Sequence, residues 1–490
     1  MSLVNIMKNN NGSYSHILKY TSLFGGVQML NILIGLIRNK LVAVLLGPLG
    51  MGIVALYTST INFIVNTSNL GIHASAVKEL SQAFETGDTG LLHHKIHVLR
   101  HWTCITSLLG MTAFACLSPL LSRWTFATYD YTIQFICLAP VVALTIIALG
   151  ETAILKATRL LRQLAIVSVC GAVGVLAVSV PIYWIYGCDG IVASLVLMAV
   201  VQALTVTAYS LRRYPLSLAI SRACVHEGRA FLGLGIAFVV SGIMGSGVEM
   251  AIRAYLSNAA DIATVGLYNA VYAMVFTYAG IVFTAMDTDY FPRLSGISCN
   301  CNELNDAVNR QIGATMAIVS PLAVLFILCM PVLLPLLYSG KFAAALPMLQ
   351  VAALSMYCRG VYLPIEYVAL SRGDSKTFIV VEVFSGVLLV SFVVLGFETL
   401  GLKGMGIGIT AAYFVEMFFA WAVCRMRYGY RMSGTIIKTT IPHMVCGLCM
   451  YAITNVGNTL WYCLLGVMVF VIDAFLSISS IRENVGKLKR

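Results

Sequence analysis

Apolar runs of about twenty residues, the length a helix needs to cross a bilayer, recur along this chain from residue 17 to residue 480. Fourteen such segments are separable: 17–37, 50–69, 102–121, 132–151, 164–186, 190–211, 231–256, 264–288, 313–338, 346–370, 377–397, 402–424, 436–455 and 459–480. The composition agrees, with 59% hydrophobic and 10% charged residues, where soluble chains carry roughly 25% charged. The sequence therefore predicts an all-α polytopic membrane protein of about fourteen transmembrane helices. A β-barrel is excluded, because barrel strands alternate in polarity over about ten residues.

The connections between runs alternate in length and charge. Of the 31 Lys and Arg residues, 24 lie in one set: the N-terminal region, 70–101, 152–163, 212–230, 289–312, 371–376, 425–438 and 481–490. The other set and the run interiors hold Arg38, Lys40, Arg123, Arg253, Lys341, Arg359 and Lys403. Cations are retained on the cytoplasmic side during insertion, so both termini are expected to be cytoplasmic. The +11 net charge is then mostly topology, and no nucleic-acid partner is called for. The N-terminal "MSLVNIMKNNNGSYSH" reads as a retained tail rather than a signal peptide. The outer connections are too short for an external enzyme domain, and those around 38–49 and 122–131 hold no acid/base constellation.

Other motifs carry less. The fourteen cysteines lie mostly in apolar runs, where they act as small hydrophobes; "CGLC" at Cys446–Cys449 is read as core packing. "CNC" at Cys299 and Cys301 has no further ligands nearby for a metal. His93, His97 and His101, with His94 alongside, share the spacing of a zinc site, but an amphipathic entry into the third crossing is the stronger reading. No metal or cofactor is expected.

The chain repeats itself at 214–215 residues. Gly52 of "GMGIVALY" is matched by Gly266 of "VGLYNAVY", and Ser81 of "KELS" by Ser295 of "PRLS". Glu151 is matched by Glu366, "GCDG" at 187–190 by "GLKG" at 401–404, and Arg38 by Arg253. Each copy holds six crossings, an even number, so the copies share orientation. Two parallel six-helix lobes, 1–222 and 223–430, are expected, followed by two additional C-terminal helices and a basic tail at 431–490. Parallel repeats of this kind suit alternating access around a site near the midplane. Prolines within crossings, Pro140, Pro181, Pro321 and Pro364, are candidate kinks or simple helix interruptions.

Ionisable groups inside a membrane are expensive and are read as functional by default. Arg38 and Lys40 end the first crossing. Arg38 either snorkels to the headgroups or faces a cavity. Its repetition as Arg253, and its place on the side where cations are disfavoured, support the cavity. Glu249 and Arg253 lie one helical turn apart and can pair, as a structural lock or as part of a site. Arg359 and Glu366 share a helix face two turns apart. Glu151, Glu382, Glu416 and Asp473 stand nearly alone. Arg38, Lys40, Arg253 and Arg359 are thus the candidate substrate-binding residues, since guanidinium groups grip a diphosphate bidentately. Glu249, Glu366, Glu151 and Glu416 are candidates for coupling or ion pairing, with helix packing or interfacial hydration as the plainer alternatives.

The stretches "IRNKLVAVLLGPLGMGIVALY" at 37–57, "VGLYNAVYAM" at 265–274, "YFPRLS" at 290–295 and "SGKFAAALPMLQVAAL" at 339–354 resemble the Wzx-type oligosaccharide flippases. These belong to the multidrug/oligosaccharidyl-lipid/polysaccharide exporter superfamily, and the resemblance covers about the first 425 residues. It implies a non-enzymatic flippase that moves undecaprenyl-diphosphate-linked repeat units across a bacterial inner membrane. The partners it implies are that lipid-diphosphate-linked oligosaccharide, membrane lipids, and polysaccharide polymerase or assembly proteins. It further implies two six-helix lobes around a cationic cavity, with Arg38 in the place of a cavity arginine near the end of the first helix. An aspartate is usual in the related lipid II flippases where Asn39 stands here, and that departure weakens a transfer of their substrate to this chain. An ion-coupled multidrug antiporter of the same fold is the alternative; there a buried carboxylate would carry coupling.

Overall fold

The computed structural model describes residues 3–215, 236–297 and 301–488. All the regular structure among them is helical: α1 (Leu3–Ser68), α2 (Ile72–Glu85), α3 (Thr89–Phe126), α4 (Thr132–Ala157), α5 (Leu161–Tyr186), α6 (Ile191–Arg213), α7 (Ile236–Ala259), α8 (Ile262–Tyr272), α9 (Ile281–Ser295), α10 (Cys301–Leu337), α11 (Leu346–Ala352), α12 (Ser355–Ser371), α13 (Ser375–Tyr428), α14 (Gly434–Ile453) and α15 (Thr459–Leu488), with single turns at 187–190, 273–278 and 340–345.

This is a multi-pass membrane protein. Among the described residues eight helices are long and apolar enough to cross a bilayer, or nine when α11 and α12, bent by 48°, count as one span. Three of the eight are too long for one crossing. The 54 residues of Ser375–Tyr428 would extend roughly 80 Å as a straight helix, against about 30 Å of hydrocarbon. The chain breaks instead at Gly401 (φ 60°, ψ −139°). Leu161–Arg213 breaks at Gly187 (φ 56°, ψ −132°), and Met29–Ser68 at Gly47, beside Pro48. A side chain strains in this positive-φ region, so glycine there lets two helices be joined without a long loop. With α7 and the Ile262–Tyr278 run, the fourteen expected segments all fall on helix, as far as they are described.

The repeat is visible in the backbone. Gly187 and Gly401 lie 214 apart with nearly the same φ and ψ. Helices begin at 132 and 346 and at 161 and 375, and end at 157 and 371, each pair again 214 apart. The bend in the second copy is at residues 353–354, not at Pro364, which sits inside continuous α12. The eighth crossing carries a π-helical turn, Ala273–Tyr278, that nothing in its apolar pattern announces.

The chain divides into two compact units, Met1–Ser246 and Gly247–Arg490. The division falls within α7, whose first turns belong to the first unit: the Asn66 amide donates to the Gly242 carbonyl there. The lobe boundary expected at 222/223 lies outside the described residues. In the first unit α3 packs on α4, α4 on α6, and α5 on both α6 and α1. The amphipathic α2 buries Ile72, Ala76, Leu80 and Ala83, spaced three or four apart, against Leu92, Ile96 and Leu99 of α3 and Ala153, Ile154 and Ala157 of α4. In the second unit α12 and α11 pack on α13, and α10 holds α12, α14 and α15.

Candidate functional site

Arg38 lines a cavity of about 680 Å³ inside the first unit. Its walls come from both halves of α1 and from α4, α5 and α6. Asn31, Thr58, Asn62, Thr145, Thr152, Ser168 and Gln202 supply polar groups, with Ile34, Gly35, Leu149 and Val167 among the apolar ones. Among the described residues no Asp or Glu lines it. Asn31 donates to Ser168 at 2.7 Å, while its own Oδ1 is buried without a partner. Thr58, Thr145 and Thr152 donate back to their own helices, so each hydroxyl oxygen keeps acceptor capacity. Arg38 is half-buried, and among the described residues no carboxylate pairs with it. Its guanidinium cannot shed its proton, so its balancing charge must come from water or an anion. Lys40 is half-buried as well but is not part of this wall.

The repeat-related Arg253 has a different environment. It is 5% exposed. Its Nη1 donates to Glu249 at 2.6 Å and its Nη2 to Asn269 at 3.0 Å. Tyr272 lies under the guanidinium at 5.4 Å and donates to the other oxygen of Glu249 at 2.7 Å. The ion pair, Asn269 and Tyr272 are what a structural lock would use, while the Arg253 Nε is buried without a hydrogen bond. At the 214–215 offset, Glu249, Asn269 and Tyr272 correspond to Ile34, Ala55 and Thr58. The first copy therefore has no carboxylate at the position of Glu249, and it has smaller side chains at the positions of Asn269 and Tyr272. Ile34 and Thr58 line the cavity itself.

Arg359 lies in the second unit among aromatic rings, 5.2 Å from Phe276, 5.1 Å from Phe283 and 5.9 Å from Tyr413. Its Nη1 is buried without a hydrogen bond. Phe276 belongs to the π-helical turn, a local distortion that is common at functional sites. Glu366 and Glu416 are 8% and 3% exposed. The Tyr362 hydroxyl is in hydrogen-bonding reach of both, and Ser385 bonds Glu416. Each carboxylate keeps an oxygen with no partner. Arg359 attracts them from beyond ion-pair distance, and Glu382 repels both.

Glu151 is paired. Arg100 grips it with two bonds, Nε at 2.8 Å and Nη2 at 3.0 Å, and also donates to the Tyr214 carbonyl at 2.8 Å. This clamp joins α3, α4 and the end of α6. Sequence reading missed it because Arg100 lies 51 residues away and was counted with the orientation charges. Asn269, Tyr272 and Tyr362 were missed for a related reason: neutral polar residues in apolar runs give no signal until a charge is placed beside them. His93 of the histidine row is exposed, its ring edge against Tyr214 at 5.6 Å.

Comparison with known proteins places this architecture. A family model described as polysaccharide biosynthesis protein matches residues 41–347. No curated protein sequence matches. An inward-facing multidrug resistance transporter of the MATE family, in the MOP superfamily, superposes with a TM-score of 0.63 at 16% identity, covering 84% of this chain and 96% of that one. The lipid II flippase MurJ, in an inward closed conformation, superposes at 0.67 and 14% identity, covering 94% of this chain and 99% of that one. An outward-facing MATE transporter matches at 0.60 and 15% identity, covering 84% and 96%. At these identities the likeness is one of fold.

Proposed function

The chain belongs to the polysaccharide biosynthesis protein family, and on that premise we propose that it flips an undecaprenyl-diphosphate-linked oligosaccharide across the bacterial inner membrane by alternating access. Arg38 receives the diphosphate. The observation that carries this reading is an arginine with no carboxylate beside it among the described residues, in a cavity of about 680 Å³ of mixed polar and apolar lining. A guanidinium there offers a bidentate grip on an anion, and the neutral amides and hydroxyls around it can bond an oligosaccharide without repelling its charge. Arg253 would not serve equally, because Glu249 already balances it. Arg359 is the second candidate, its guanidinium flanked by rings and incompletely bonded. The structural neighbours are named as a flippase and transporters, and the proposed step breaks no covalent bond.

A second reading has its own support. The buried carboxylates of Glu366 and Glu416, each with an unbonded oxygen, suit an ion-coupled antiporter. They serve the flippase equally as the group that takes up a coupling ion, with Tyr362 between them. The deciding experiment is complementation of a flippase-deficient strain, with lipid-linked oligosaccharide followed in vesicles, for Arg38→Ala, Arg38→Lys, Glu366→Gln and Glu416→Gln. The flippase reading expects Arg38→Ala to abolish transport and Arg38→Lys to keep part, since charge survives without the fork. Full activity in Arg38→Ala together with loss in a glutamate variant would refute diphosphate binding and favour the antiporter.

A further inference from the structure

Helices α14 and α15 lie beyond the repeat, yet they carry a buried ionisable pair. His443, near the middle of Gly434–Ile453, is 2% exposed, and Asp473, within the membrane run of Thr459–Leu488, is 0% exposed. The His443 Nδ1 is 2.6 Å from one oxygen of Asp473. The other oxygen accepts from the Ser320 hydroxyl of α10, also at 2.6 Å. The Cys446 thiol, one turn along from His443, lies close enough to the same carboxylate to feel its charge. From α12, the Tyr357 hydroxyl reaches the Ser320 carbonyl at 3.4 Å and senses the charge of Asp473. Its ring can sit there because Gly447 has no side chain: a Cβ at that position would lie 2.6 Å from the ring. Among the described residues no Lys or Arg pairs with Asp473.

Proton counting sets what this cluster can be. With one proton beyond neutral imidazole and carboxylate, the pair is neutral overall, whether the proton rests on His443 or on Asp473. Without that proton, a bare carboxylate is left inside the membrane. With a second, an imidazolium is left with only a neutral acid beside it. Both states put an uncompensated charge where it is most costly. We propose that His443 and Asp473 form a binding site for a single exchangeable proton, and that its occupancy holds the α14–α15 pair docked on α10. Ser320, Cys446 and Tyr357 are the groups facing the pair from the elements packed around it. None of them carries a positive charge, so among the described groups it is the proton that balances Asp473.

This function is separate from substrate recognition, since none of these residues lines the Arg38 cavity. The Cys446 thiol, half-buried one turn from His443, is a built-in reporter: the proposal expects its alkylation to quicken when α14 and α15 leave α10. The experiment uses the full-length protein in nanodiscs, with a membrane-permeant maleimide, from about pH 5 to about pH 9. Rates are corrected for thiol ionisation with Cys449, and Cys446→Ala gives the background. The expected wild-type result is a bell-shaped dependence, with Cys446 protected at intermediate pH and labelled about tenfold faster toward both ends, the effect of about 1.4 kcal/mol. The double variant His443→Gln/Asp473→Asn keeps a hydrogen-bonded pair and removes both ionisable groups; its corrected rates should not depend on pH. Ser320→Ala should keep the bell and displace it, having lost one donor to the carboxylate. A flat wild-type profile, or a bell that survives in the double variant, would overturn the proposal and leave the cluster a fixed staple between helices.

Discussion

The two repeat-related arginines should fail in opposite ways when truncated. Arg253→Ala removes a cation that is 5% exposed and bonded to both Glu249 and Asn269. Breaking a buried pair by removing one partner costs about 3–5 kcal/mol. Glu249 is 29% exposed, so water recovers part of its solvation and the lower half of that range applies, about 3 kcal/mol. Arg38→Ala breaks no ion pair among the described residues and opens onto an existing cavity; surface-like changes of this kind stay within about 0.5–1 kcal/mol. Transport should show the reverse weighting. A charge-assisted hydrogen bond to an anion is worth about 1.5–3 kcal/mol, so a lost bidentate grip should slow flipping by at least about two orders of magnitude. Fluorescence-detected size-exclusion chromatography after a heat ramp reads the first quantity, and flipping in vesicles normalised to folded protein reads the second. The reasoning fails if Arg253→Ala is as heat-resistant as wild type, or if Arg38→Ala unfolds before it loses transport.

Other consequences follow from named contacts. Glu151→Gln should destabilise the first unit by about 3 kcal/mol, because it leaves Arg100 11% exposed and without its counter-charge; a heat ramp on the purified variant checks this, and an unchanged midpoint would show that the clamp is dispensable. Asp374 caps α13, accepting from the Thr377 amide at 3.1 Å and its hydroxyl at 2.7 Å. These bonds hold its carboxyl below the usual carboxylate range, so its contribution is complete above that range and fades as pH falls through the lowered value; Asp374→Asn should flatten that acid limb of the stability curve. Reporter fusions at Lys341 and at Arg490 should lie on opposite faces of the membrane, as the charge partition requires, and finding both on one face would overturn the orientation.

The backbone was far more legible in the sequence than the site. Hydrophobic length fixes crossings because an unpaired peptide group cannot remain in lipid, and a glycine between two apolar runs marks a hairpin wherever left-handed backbone is needed, as at Gly187 and Gly401. Charge pairing is another matter. Glu249 and Arg253 are one turn apart, and their contact could be foreseen. Arg100 and Glu151 meet only because α3 packs on α4, and His443 reaches Asp473 only because α14 packs on α15. Asp473 accordingly reads as a solitary acid in the sequence. Pro364, a candidate kink or simple interruption, stays inside a continuous helix, while the bend occurs at residues 353–354, where no proline stands.

Duplication explains why the two units can differ so much in charge on one scaffold. Each inherited an arginine near the end of its first crossing and a glutamate near the end of its fourth. In the first unit the glutamate has a partner, Arg100, and the arginine has no carboxylate among the described residues. In the second the arginine acquired Glu249, Asn269 and Tyr272, while position 315, which corresponds to Arg100, is a threonine, so Glu366 has no bidentate partner. A group balanced by its own protein has little left to offer a ligand, and one left unbalanced in low dielectric binds whatever compensates it. In the proposed function the first unit supplies the anion receptor and the second the cation receptor. That division suits a transporter that must recognise an anionic lipid carrier and draw its energy from a cation. It also makes a restrictive demand on variants: restoring the missing partner, with Ile34→Glu placed one turn before Arg38, should rebuild in the first unit the lock seen in the second. The protein should then fold at least as well as wild type and no longer transport. An Ile34→Gln control of similar size should retain transport, since it fills the same space without supplying the charge; equal inhibition by both would show that the cavity is blocked by bulk and that Arg38's free charge is not what matters.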